Sequence, residues 1–122
     1  MTEFLKQIET GKKQKPRRLL FYGTHGVGKS TFASQAPEPI YIQTEEGLND
    51  LDVSKFPLAG HFTDVIDQLT ELYEKEHKFK TIVIDSVDWL ERLIWECLCQ
   101  EKNKENIEDF GYAKGYSYAM KY

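Results

Sequence analysis

The chain has 122 residues and a mass of 14.3 kDa, room for one domain and no more. Hydrophobic residues make up 40% and charged residues 30%, the balance of a globular protein with a modest core. A net charge of −4 excludes nucleic-acid binding by bulk electrostatics, so any such role needs a local patch. No apolar stretch approaches membrane-spanning length, and the opening MTEFLKQIETGKK lacks a signal-peptide core. Cys97 and Cys99 stand two apart in a predicted helix and read as reduced thiols, so a reducing cytoplasm and no membrane partner are expected.

In chain order, residues 3–9 can form a helical turn or two with Phe4, Leu5 and Ile8 on one side, too short to stand alone in water. Residues 12–18, KKQKPRR, carry five basic side chains. They read as a solvated arm or as a contact to a nucleic-acid backbone. Leu19, Leu20, Phe21 and Tyr22 form a short apolar run, and residues 18–22 are a predicted first strand. Gly23 to Ser30 then match G-x-x-x-x-G-K-[ST] in full, and Thr31, Phe32 and Ala33 can continue into a helix. That order has a mechanism: a phosphate chain needs a ring of inward backbone N–H groups followed by a helix N-terminus. Gly23, Gly26 and Gly28 keep the ring free of side chains, with Thr24, His25, Val27 and Thr31 completing the loop. Lys29 is expected to reach the β and γ phosphates and Ser30 to hold Mg2+.

The helix is expected from Lys29 to Ala36, stopped by Pro37 and Pro39. Pro39–Gln43 reads as a buried strand that delivers Thr44, Glu45 and Glu46 to its carboxyl end, where ligands of open α/β sheets sit. Residues 48–60 read as loop. From Thr63 to about Lys75, the apolar residues Val65, Ile66, Leu69, Leu72 and Tyr73 recur at helical spacing, with Thr63 as N-cap and Asp64 favouring the positive end. His61 and His77 have no ligand partners at metal spacing and read as surface residues.

Thr81 to Ile84 are continuously apolar or β-branched, as a central parallel strand requires, and they deliver Asp85 to its end. Such an acid orients the magnesium shell in phosphate-loop NTPases. Val87, Leu90, Leu93, Ile94, Cys97 and Leu98 mark a further amphipathic helix, with Trp89 and Trp95 widening its apolar side. The tail from Lys102 is charged, then rich in Tyr and Gly. Its residues Phe110, Gly111, Tyr112, Gly115, Tyr116, Tyr118 and Tyr122 interleave with Lys114 and Lys121, and the aromatics can stack on bases or pack on protein.

With both nucleotide motifs in place, the chain resembles the RecA-like branch of the phosphate-loop NTPases, and more closely the phage-encoded nucleotide-binding AAA-type family. GTHGVGKST is similar to that family's phosphate loop and TIVIDSVDWL to its magnesium strand. YIQTEEGLNDL resembles the strand end that carries the catalytic glutamate, which falls on Glu45. The basic arm and DFGYAKGY also resemble the family. The resemblance implies an α/β P-loop NTPase fold, a RecA-like three-layer α/β/α sandwich with a mostly parallel sheet. It also implies Lys29 and Glu45 as catalytic residues, Ser30 and Asp85 as magnesium ligands, and ATP and Mg2+ as cofactors. The implied role is ATP hydrolysis in phage DNA recombination or single-strand handling, in the host cytoplasm. Single-stranded DNA, further copies of the chain and recombination proteins are the implied partners.

In that branch the sheet order is 5-1-4-3-2, with a fourth strand between residues 18–22 and the magnesium strand. The sequence offers three strands, and the fourth and fifth core strands are not found in it. The expected division is a basic arm at 1–17 and the N-terminal portion of an ATPase domain at 18–122, completed by further sequence or by another chain. Three functions stay open: an ATPase, an inactive nucleotide-binding or interaction module, and a small-molecule kinase. The kinase is disfavoured because Arg17, Arg18 and Arg92 are the only arginines available for a lid.

Overall fold

The structure, a computed structural model, describes residues 3–107 and 114–122. Its sheet is organised around the run Ile40-Tyr41-Ile42, whose β-branched and aromatic side chains suit a strand covered on both faces. This strand, β1 (Pro39–Gln43), lies between β2 (Ser54–Lys55) and β3 (Thr81–Asp85), and both pair with it in parallel. Register runs from Pro39 opposite Thr81 to Gln43 opposite Asp85. Because strand side chains alternate, Ile42 and Ile84 share a face and Tyr41 and Asp85 share the other.

The Ile42 face is closed by α2 (Phe62–Glu74) and α3 (Val87–Glu101). Val65 from α2 and Leu93 from α3 bury with Ile42 and Ala59, and Leu69, Leu72, Ile84 and Leu90 pack around them. The Tyr41 face meets α1 (Lys29–Ala33). A second cluster joins the far end of α3 to α4 (Lys114–Ala119): Leu98, Ile107 and Ala119 are buried, with Ile94 and Trp95 against them. No helix among the described residues is long and apolar enough to cross a membrane.

Most local expectations match, with small differences that have physical causes. The first helix ends at Ala33, and single turns carry the chain to Ala36 before the prolines stop it. α2 starts at Phe62 with His61 as N-cap, in place of Thr63. Asp64 reaches back to accept from the backbone N–H groups of Gly60 and His61, at 3.0 and 3.1 Å. This satisfies donors that a helix start leaves over. The segment 48–60 is not all loop, since Ser54 and Lys55 pair along the outer edge of β1.

One larger expectation fails. Residues 18–22 do not form a strand, and Leu19, Leu20 and Tyr22 are exposed. A strand is stable only when a neighbour takes up its N–H and C=O groups. The observed sheet ends at β3, whose outer edge residues 18–22 do not occupy. Among the described residues, Phe21 alone of this run has a ring partner, packing on Phe32 at 4.8 Å. The sheet thus has three strands, but β2 stands where residues 18–22 were expected to count. Residues 3–18 are exposed, with a 3-10 turn at Phe4–Gln7. In the tail, the expectation for Phe110, Gly111 and Tyr112 lies outside the described residues. Tyr116 packs edge-on against Trp95 at 5.3 Å and Tyr122 against Phe62 at 5.6 Å, so these two rings serve packing.

Candidate functional site

The loop from Gly23 to Gly28 turns on two glycines with left-handed dihedrals, Gly26 at φ 82° and Gly28 at φ 99°. A Cβ on either would meet nothing within 4 Å, so the requirement for glycine comes from the backbone and not from space. Thr24, His25 and Val27 lie exposed between them, as does Thr31 just inside α1. Lys29 is half-buried and folds over the loop, its Nζ donating to the carbonyls of Gly23 at 2.7 Å and Thr24 at 3.2 Å. An ammonium is thereby held at the mouth of the loop it belongs to.

Ser30 joins this loop to the sheet. Its hydroxyl donates to Asp85 Oδ2 across a sequence separation of 55 residues. Its carbonyl accepts from the Tyr41 hydroxyl at 2.7 Å. Tyr41 is fully buried, and burial first and the Asp85 charge second raise its hydroxyl above the ordinary tyrosine value of 10.0. Loop, β1 and β3 therefore meet at one point.

The carboxyl ends of β1 and β3 are laced together beyond their last paired residues. The Thr44 N–H donates to the Asp85 carbonyl at 2.9 Å. The Thr44 hydroxyl, itself buried, donates to the Ser86 carbonyl at 2.7 Å and accepts from the Ser86 N–H at 2.9 Å. Ser86 Oγ then donates to Glu45 Oε2 at 2.5 Å, while Glu46 is exposed. The structure thus holds Lys29 on the loop, joins Ser30 to Asp85, holds Glu45 on Ser86, the residue after Asp85, and leaves Glu46 exposed. Chemically, these are a cation for phosphate oxygens, a hydroxyl and carboxylate of hard-oxygen character, and a second carboxylate nearby.

The comparisons bear on what such an arrangement belongs to. The AAA domain family matches residues 15–122. The chain belongs to that family. Its α/β fold with a small parallel sheet is consistent with the P-loop NTPase-like core of such a family. The SPbeta prophage-derived uncharacterized protein YorG of Bacillus subtilis (strain 168) is 29% identical over 80% of the chain and 33% of that protein's length. The chain thus spans about a third of the curated relative it matches. No solved structure matches it.

Tyr41 and Ser86 make contacts in this candidate site that the sequence reading missed, and Thr44 was read only as part of a strand end. Tyr41 looked like one more apolar strand residue. Thr44 and Ser86 each follow a strand by one position, and only the pairing of Gln43 with Asp85 makes them neighbours.

Proposed function

We propose that the protein binds and hydrolyses ATP with Mg2+, and that residues 23–31 hold the phosphates. The observation that carries this reading is the contact of Ser30 with Asp85, which unites the phosphate loop with the strand-end acid. A hydroxyl beside a carboxylate is a donor set that suits a small hard cation, which takes one or two protein oxygens and completes its shell from water and phosphate. Mg2+ at Ser30 and Asp85 would neutralise charge on the β and γ phosphate oxygens. Lys29 would exchange the loop carbonyls for phosphate oxygens, with backbone N–H groups of the loop as further donors. Glu45 orients the attacking water and accepts its proton.

The RecA-like reading is supported by the parallel pairing of β1 with β3 and by the outer edge of β3, which no strand among the described residues pairs. In that reading a further strand lies on this edge, residues 18–22 become a strand beside it, and helices cover both faces of the sheet. Residues 1–17 are then the arm and 18–122 the N-terminal portion of the ATPase domain. Lys12, Lys13, Lys15, Arg17 and Arg18 are all exposed, which favours single-stranded DNA as a partner. A role in phage DNA recombination rests on the family resemblance and on the prophage origin of the relative.

The deciding experiment is titration calorimetry of ATP and Mg2+ with the full-length protein and its Lys29→Ala variant. Loss of a charged hydrogen-bond donor is worth about 1.5–3 kcal/mol, roughly 10- to 150-fold in Kd. Equal affinities would falsify the site. Tight binding without turnover would favour the inactive-module reading instead.

A further inference from the structure

We infer that Ser86 is a positioning residue that aims Glu45, acting through its side-chain hydroxyl; the inference rests on the reading of Glu45 as the base. A glutamate at the end of a strand has three rotatable side-chain bonds, and a base that samples several rotamers meets its water in only a fraction of them. Among the described residues, Ser86 Oγ supplies the hydrogen bond made to the Glu45 carboxylate.

The geometry around Ser86 fixes that hydroxyl on every side. Its backbone N–H and C=O are both clamped by the buried Thr44 hydroxyl, at 2.9 and 2.7 Å. Its Oγ accepts from the Trp89 N–H at 3.5 Å as the N-cap of α3. A serine hydroxyl has one proton, an ionised carboxylate can only accept, and a backbone N–H can only donate. The proton must therefore point to Glu45 while a lone pair faces Trp89. Ser86 also directly follows Asp85, so the group that aims the base is covalently joined to the group that meets Ser30. Glu46, one residue on, is exposed and has no such hydrogen bond among the described residues.

The test uses the full-length protein as wild type, Ser86→Ala, Ser86→Thr, Glu45→Gln and the Ser86→Ala/Glu45→Gln double variant. Steady-state ATPase assays give kcat and KM. The Kd of a fluorescent ATP analogue in chelator, without turnover, reports the phosphate loop alone. Ser86→Ala is expected to lower kcat roughly tenfold while KM and the analogue Kd stay within about twofold. Ser86→Thr, which keeps the hydroxyl, restores kcat. The double variant should match Glu45→Gln, because a positioning residue has nothing left to aim. If Ser86→Ala unfolds through loss of the α3 cap, Ser86→Gly carries the same comparison, since glycine is tolerated as an N-cap.

Wild-type kcat in Ser86→Ala, with Glu45→Gln dead, overturns the Ser86 assignment alone. An equal loss from Ser86→Ala in both backgrounds, or a matching loss of analogue affinity, overturns it in favour of a structural role. Wild-type kcat in Glu45→Gln overturns the base reading and this inference with it.

Discussion

Replacing Tyr41 by Phe removes one oxygen from a fully buried ring and nothing else. That oxygen is the donor to the Ser30 carbonyl at 2.7 Å. The carbonyl is not orphaned by the change, since it also accepts from the Ser34 N–H at 3.1 Å. The cost is then that of a net hydrogen bond, about 0.5–1.5 kcal/mol, and not the larger penalty of a stranded buried group. For a domain of this size it corresponds to a fall in melting temperature of about 2–8 °C. Ser30 presents its hydroxyl to Asp85, so loosening its carbonyl is expected to weaken Mg2+-dependent ATP binding roughly 2- to 10-fold. Tyr41→Ala, by contrast, removes the ring and should cost about 3–5 kcal/mol through the cavity it leaves.

A pH series separates the hydroxyl from the ring. The Tyr41 hydroxyl is raised above 10.0 in the folded state, so the native state keeps that proton where the unfolded chain loses it. Its contribution is present in full below about pH 10 and lost as pH rises through the raised value. Thermal and urea unfolding should show a constant gap between wild type and Tyr41→Phe at neutral pH, narrowing above about pH 10. A Tyr41→Phe protein equal to wild type in both melting and ATP affinity would refute the reasoning. So would one as damaged as Tyr41→Ala.

Asp85→Asn should raise the Mg2+ concentration needed for tight ATP binding by roughly tenfold or more, because a neutral amide holds the metal's water shell less well; calorimetry across a magnesium series reads this directly. Glu45→Gln should leave binding nearly intact and lower kcat by about 10²- to 10⁴-fold, with Glu46→Gln close to wild type. The reverse outcome in steady-state assays would move the base by one residue. Tyr122 donates to Glu101 Oε2 at 2.6 Å, and this bond, with burial and the Glu101 charge behind it, pushes its hydroxyl up to about 12. Glu101→Gln should return that titration toward 10.0, seen as a difference in ultraviolet absorbance between proteins with Tyr122 and with Phe at that position. The associated stability is held below about pH 10 and lost as pH rises through about 12.

β1, β3, α2 and α3 were legible because their signals are local. Ile40-Tyr41-Ile42 and Thr81 to Ile84 carry the composition of covered strands, and Val65, Leu69 and Leu72 recur at the spacing of a covered helix face. β3 nevertheless departs from the central position expected for it, standing at the edge of the sheet with Ile82 exposed. Residues 18–22 carry an equally good local signal and form no strand, because strand formation is a property of pairs. Leu19 and Leu20 have the right side chains and, among the described residues, no strand backbone to bond. Ser54 and Lys55 show the converse: two polar residues without any strand pattern become β2 because the β1 edge beside them needs donors and acceptors.

The same distinction governs the site. The phosphate loop is contiguous and could be read whole, with Lys29 and Ser30 placed by their position in it. Glu45 and Glu46 are chemically identical neighbours, and only register tells them apart. Ile42 and Ile84 must both face α2 and α3 to bury with Val65 and Leu93, which fixes Gln43 opposite Asp85. That register sets Thr44 against Ser86 and brings the Ser86 hydroxyl to Glu45. A one-residue slip of β1 along β3 would set Thr44 against Asp85 and carry Glu46 toward Ser86. It would also turn Ile42 away from the core, losing about 1.5–3 kcal/mol of burial for that side chain alone. In the proposed reading, the choice between two adjacent carboxylates is thus made by the packing of two isoleucines on the other side of the sheet.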